Sequence, residues 1–259
     1  MGSIELQSDN IPKQKKSFEK WNHLIQKIQL ISDRQALSDK LEELSNPTQP
    51  MILAFANAHA MNSVFKDESF YNNLVKSDLI FRDGSGMAKL YKSIGLNPGL
   101  NLNGTDLIPQ LIERFSQQKI ALLGTQDPYL ENAKEMIQNT YACSSSVIKI
   151  DGFQTPDVYI QAMLQDKPAL IILGMGMPKQ EQVAQQLKNN LSHPCLIVCG
   201  GAIIDFLGGK VTRAPLWMRN NGIEWLYRLI SEPRRMFKRY VIGNPLFLMR
   251  VSKFKNRML

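Results

Sequence analysis

Five short apolar runs recur along the chain: "MILAFAN" (51–57), "DLIFRD" (78–83), "KIALLGT" (119–125), "ALIILGMG" (169–176) and "CLIVCGG" (195–201). A weaker one, "SSVIKIDG" (145–152), lies between the third and fourth. Runs of this length and apolarity fit buried strands, and each is followed by a segment of helical period, such as "DPYLENAKEMIQNTY" or "MPKQEQVAQQLKNN". Strands alternating with helices predict an α/β fold, a mostly parallel sheet with helices on both faces. Ahead of the sheet, "FEKWNHLIQKIQLISDRQALSDKLEELSN" (18–46) carries apolar residues at helical spacing with a break near Ser32–Asp33. Past Arg213, Trp217, Trp225, Leu226, Leu229, Ile230, Phe237, Tyr240 and Val241 recur at near-helical spacing, with Pro233 dividing the helices. The pattern divides the chain into a polar segment with helices (1–49), an α/β core (50–209) and a helical C-terminal appendage (210–259).

Parallel sheets bind ligands beyond the carboxyl ends of their strands. The unusual polar residues fall there: Asn57 after the first run, Asp83 after the second, Thr125 after the third, Gln180 and Glu181 after "ALIILGMG", Asp205 after "CLIVCGG". Each also has a plain structural reading. Asp83 in "DGSG" could be a helix N-cap, as could Asn57 in "NAHAMN" (57–62), and His59 reads as a satisfied core or surface histidine. In "NLNGTDL" (101–107), Thr105 or Asp106 could cap the following helix. "GMGMPKQE" (174–181) offers a Gly-x-Gly turn with Pro178 in the first helical turn, an arrangement able to cradle a phosphate or sugar on free backbone N–H groups. It lacks the third glycine of a dinucleotide fingerprint. P-loop, HExxH, GxSxG, CxxC and Asp-x-Asp patterns are all absent.

Charge and composition sharpen the picture. The 259 residues are 44% apolar, enough for a sizeable core, and carry a formal charge of +8. From Lys210 onward twelve Lys and Arg face only Glu224 and Glu232, a surplus of ten, so residues 1–209 hold −2. A basic segment interleaved with aromatics fits a membrane surface or a phosphate-bearing ligand. The alternatives are a terminal helical pair packed on the sheet, which suits the first of these helices better than the last, a subunit interface, and a nucleic-acid-binding tail. The apolar–basic mixture argues against nucleic acid. The longest apolar stretch near the end, "YVIGNPLFLM", is too short to span a bilayer and holds Gly243 and Pro245. The polar start lacks a secretory leader's apolar middle, so a cytoplasmic location is expected. Cys143, Cys195 and Cys199 read as buried reduced thiols rather than disulfide or zinc ligands.

Taken in order, "NAHAMN", "DGSG", "NGTDL", "DGF" (151–153), "GMPKQE", "GGAIIDFLGG" (200–209), "RAP" (213–215) and "GIEWLYRLISEPRRMFKRY" (222–240) resemble the WecB/TagA/CpsF glycosyltransferase family over about residues 50–245. The resemblance implies a Rossmann-like, metal-independent, inverting transferase without a cofactor. It would move a hexose from a UDP-sugar to a sugar on undecaprenyl diphosphate, as a peripheral protein at the cytoplasmic face of the bacterial inner membrane. It implies Asp83 as general base, Asn57 beside it, and Asn101, Thr105, Asp106, Gln180, Glu181 and Asp205 as substrate contacts. Arg213, Arg228, Arg234, Arg235 and Arg239 would bind diphosphate and membrane. Two positions depart from the pattern: Phe55 stands where many relatives have Thr, and Asn101 where many have Arg. "NAHxxN" with "NxNGTDL" is closer to the exopolysaccharide branch, including xanthan-type enzymes, which favours UDP-glucose as donor. UDP-N-acetylmannosamine or its uronic acid is the alternative.

Overall fold

The computed structural model describes residues 10–141 and 146–258. All six apolar runs form strands: β2 (Pro50–Ala56), β3 (Leu79–Arg82), β4 (Ile120–Gly124), β5 (Val147–Ile150), β6 (Leu170–Gly174) and β7 (Cys195–Cys199). They follow β1 (Ile28–Gln29), which the sequence pattern does not reveal because two residues at a sheet edge need no apolar run. The order is β1-β3-β2-β7-β6-β4-β5, and every pairing is parallel. The expected α/β, Rossmann-like architecture is therefore present, with all carboxyl ends at one edge of the sheet. Cys195 and Cys199 are buried free thiols in β7; Cys143 lies outside the described residues.

Alternate residues of each strand enter two apolar layers. In β2, Ile52, Ala54 and Ala56 face one layer while Leu53 and Phe55 face the other. Phe55 thus contributes packing beneath the helix Gly104–Arg114 and no polar atom. In the first layer Trp21, from the helix Asn10–Lys27, is fully buried among Phe65, Phe247 and Phe254, and its indole N–H donates to Met61 O at 2.8 Å.

The appendage inverts the expectation for its helices. The helix Glu224–Ser231 buries no residue, whereas the last helix, Gly243–Met258, seats Phe247, Val251 and Phe254 in the core. Pro245 does not interrupt that helix, because it lies within its first turn. Just before it, a wide helical turn (Phe237–Ile242) lets the Gly243 N–H reach back five residues to Lys238 O. Among the described residues no helix is long and apolar enough to cross a membrane.

Candidate active site

Strand β3 delivers Asp83 to the carboxyl edge, and Gly84, at φ +85°, turns the chain into the helix Gly84–Ser93. Asp83 holds the N-cap position with extended backbone, yet its side chain makes no cap hydrogen bond. Asn101 Oδ1 instead accepts the Gly84 N–H at 2.7 Å. The Asp83 carboxylate receives Asn57 Nδ2 on Oδ2 at 3.2 Å. Asn57 is held by its own cap: Oδ1 accepts the N–H groups of His59 and Ala60, both at 3.1 Å, which leaves the amide NH₂ toward the acid.

Asp83 is half-buried by surface area but crowded by protein, and loss of water pushes its carboxyl above the usual carboxylate value. The Asn57 hydrogen bond and the charges of Arg239, Arg228 and Arg82 pull the other way without cancelling that effect. Arg228 lies over the Phe206 ring at 5.5 Å and Arg239 over Tyr240 at 5.5 Å. Burial and then Arg239 push the His59 imidazole down to about 4, so it is neutral near pH 7.

A second group of charges joins the core to the appendage. Asp106 Oδ1 meets Arg213 Nη1 at 2.5 Å and Arg219 Nη1 at 3.6 Å, and its Oδ2 accepts Asn103 Nδ2 at 2.7 Å. Burial raises the Asp106 carboxyl, but the Arg213 and Asn103 hydrogen bonds outweigh it and hold the group below the usual value. The cap of this helix is Asn103, whose Oδ1 accepts the Asp106 N–H at 2.9 Å, rather than Thr105 or Asp106; Thr105 is half-buried in the same turn. Asp205 lies between Lys210 Nζ (3.2 Å) and Arg235 Nη1 (3.8 Å), and Lys210 also donates to Thr125 Oγ1 at 3.3 Å. Arg235 pairs with Glu232 at 3.1 Å, and Arg234 beside it is exposed.

Several guanidinium donors remain open. Arg213 Nε and Nη2, Arg219 Nε and Arg228 Nε are buried without a hydrogen-bond partner. Unpaired buried donors on cations are costly to leave so, and they suit an anion that arrives from outside. Gln180 is placed differently. Its Oε1 accepts the N–H groups of Gly176 (3.2 Å) and Gly201 (2.9 Å), tying together the loops after β6 and β7, and its Nε2 donates to Glu181 Oε1 at 2.8 Å. The Gly176 N–H is therefore engaged internally. Glu181 is buried beneath the same loops, and the lost hydration pushes its carboxyl up to about 7.

Two residues of this neighbourhood escaped the motif reading. Arg219 was hidden among the other cations of the tail. Arg82 had a signal, a cation closing an apolar run just ahead of Asp83, but its burial needed the fold. Together the site offers a proton acceptor of raised affinity facing cations with free donors, the elements of a transfer that releases an anionic leaving group.

Comparison with known proteins agrees. A profile described as the glycosyl transferase WecG/TagA/CpsF family matches residues 22–258. The chain belongs to this family. Similar proteins include the N-acetylglucosaminyldiphosphoundecaprenol N-acetyl-beta-D-mannosaminyltransferases of Staphylococcus aureus strains MW2 and NCTC 8325 / PS 47. Each is 25% identical over 214 residues, 82% of this chain and 83% of the relative. This WecG/TagA/CpsF glycosyltransferase thus matches relatives named for N-acetylmannosamine, the alternative donor, rather than for the glucose favoured by its short motifs.

Proposed function

We propose that the protein transfers N-acetylmannosamine, with inversion, from its UDP donor to N-acetylglucosaminyl-diphosphoundecaprenol at the cytoplasmic face of the bacterial inner membrane. The names of the relatives support this donor and acceptor over the glucosyl pair. The acceptor hydroxyl attacks the anomeric carbon as its proton passes to Asp83, the bond to the diphosphate breaks, and UDP leaves with the electron pair. Asn57 holds the carboxylate toward the acceptor. Arg213, Arg219 and Arg228, through their free donors, take up the diphosphate charge without a metal ion, and Arg239 adds positive potential at the base. The basic, apolar-faced appendage (210–259) rests on the lipid that carries the acceptor. The observation that carries this reading is Asp83 itself, an acid in a cap position that does no capping and faces guanidiniums instead.

The test offers UDP-N-acetylmannosamine and UDP-glucose in parallel, with short-chain polyprenyl-diphosphate-linked N-acetylglucosamine and glucose as acceptors. N-acetylmannosamine transfer to the N-acetylglucosamine acceptor is expected. Asp83→Asn should fold normally and lose roughly 10²- to 10⁴-fold in turnover, the usual contribution of a general base. Consumption of UDP-glucose alone overturns the donor assignment, and near-normal turnover in the variant overturns the base.

A further inference from the structure

We propose that Arg82 is the positioning residue of Asp83: from the strand that carries the acid, its guanidinium pins the Asp83–Gly84 turn and sets a fixed buried cation beside the carboxylate. This rests on Asp83 being the base. Arg82 is 3% exposed. Its Nε donates to Pro98 O at 2.7 Å, Nη1 to Gly84 O at 3.0 Å and Nη2 to Gly99 O at 3.2 Å. All three acceptors are main-chain carbonyls, and none of the ion pairs among the described residues includes Arg82.

A buried guanidinium whose hydrogen bonds all go to neutral carbonyls has no direct ion-pair partner, an unfavourable arrangement that simple loop bracing does not require. Its field acts on the nearest acid, Asp83. The bracing is equally pointed. Gly84 is gripped from both sides, its C=O by Arg82 and its N–H by Asn101, and Arg82 also holds the two residues, Pro98 and Gly99, that lead into Asn101. That segment is itself fixed: Leu100 N–H donates to Ile31 O at 2.7 Å, and a Cβ on Gly99 would lie 2.4 Å from the same oxygen. The planar fork of arginine reaches three carbonyls in different directions, which an ammonium on a flexible stem does poorly.

The other groups facing Asp83 come from elsewhere. Asn57 reaches it from the end of β2, Arg228 and the acid Glu224 from the helix Glu224–Ser231, and Arg239 from the turn Phe237–Ile242. Tyr91, from the helix Gly84–Ser93, faces Arg82, and its hydroxyl, raised by burial, donates to Ile25 O. Of the three guanidiniums acting on Asp83, Arg82 is the one borne by the sheet. It therefore acts on the acid whether or not the appendage is in contact with substrate.

Removing that charge leaves the dehydration of Asp83 less opposed, so the acid keeps its proton to higher pH. With UDP-N-acetylmannosamine and the short-chain N-acetylglucosamine acceptor, the acid limb of kcat/KM in Arg82→Met should move to higher pH. Arg82→Lys keeps the charge but not the three-way grip, so its limb should stay with the wild type while kcat falls. A folded Arg82→Met enzyme with an unmoved limb overturns the proposal. Should that variant fail to fold, Arg82→Lys decides, since an upward shift of its limb contradicts a role for the charge. Asp83→Asn is run alongside: if it keeps wild-type turnover the base assignment falls, whereas a large loss there with an unmoved limb in Arg82→Met removes only the role of Arg82.

Discussion

Asn57 and Asp83 stand 3.2 Å apart, amide nitrogen to carboxylate oxygen, and the amide is oriented by a helix that needs its oxygen. Capping and positioning thus sit on opposite ends of one side chain, and they can be separated.

Asn57→Asp retains an oxygen for the N–H groups of His59 and Ala60 and replaces the donor facing Asp83 with a second acid. The cap should survive, with a change in stability below about 1 kcal/mol, the scale of losing a cap outright. Turnover should fall more than about tenfold, because a like charge beside the base raises its proton affinity and disturbs its orientation. Thermal melting together with steady-state kinetics checks this, and proportional losses in both would tie Asn57 to the fold alone.

That pair also marks how far the sequence could be read. Apolar runs revealed the six longer strands because strands covered on both faces must be apolar throughout, and the position of Asp83 at the end of one of them placed it at the carboxyl edge of the sheet. The pairings were not legible. Asn101 gripping Gly84, Asp106 meeting Arg213, and Gln180 joining two glycine loops each depend on which loops the sheet order brings together. The final helix shows the same limit. Its basic residues suggested a surface element, while Phe247, Val251 and Phe254 on its other side complete the pocket around Trp21.

Glu181 should make stability depend on pH. Its carboxyl titrates near 7 in the folded protein against an ordinary 4.5, so the folded state binds the proton more tightly and stability declines as pH rises between those values. The penalty is fully present above about pH 7 and absent below 4.5, where both states are protonated. Glu181→Gln should therefore stabilise the protein at pH 8, by on the order of 1–3 kcal/mol, and change little at pH 4.5. Melting temperatures across that range check it; an equal effect at both ends would show that folding does not raise the Glu181 carboxyl.

Phe153 is 74% exposed yet firmly placed. Its N–H donates to Asp151 Oδ1 at 2.9 Å, while the neighbouring Gly152 gives its N–H to Thr125 O at 2.8 Å and accepts Lys179 Nζ on its carbonyl at 2.7 Å. An aromatic ring on this anchored backbone, beyond the carboxyl end of β5, suits stacking by the uracil of the proposed UDP donor. Base–aromatic stacking contributes about 1–3 kcal/mol, so Phe153→Ala should raise the donor KM roughly tenfold with kcat little changed, and Phe153→Tyr should restore it. An unchanged donor KM removes the ring from the nucleotide site.

The appendage supplies the last prediction. Trp217, Ile230 and Phe237 are all more than half exposed, Ile230 at 71%, and they lie in the segment that carries the basic surplus. Deleting the whole segment past residue 210 would be a poor test, because it strips Phe247, Val251 and Phe254 from the core and unfolds more than it removes. Point substitutions avoid this. The helix Glu224–Ser231 buries nothing, so Ile230→Glu should change stability by less than about 0.5 kcal/mol, as exposed substitutions do. Combined with Trp217→Glu, it should abolish flotation with vesicles of anionic phospholipid while leaving turnover on a water-soluble short-chain acceptor intact. Retained flotation would mean that the exposed apolar face serves another surface, and an oligomer that dissociates in the double variant would identify that surface as a second copy of the chain.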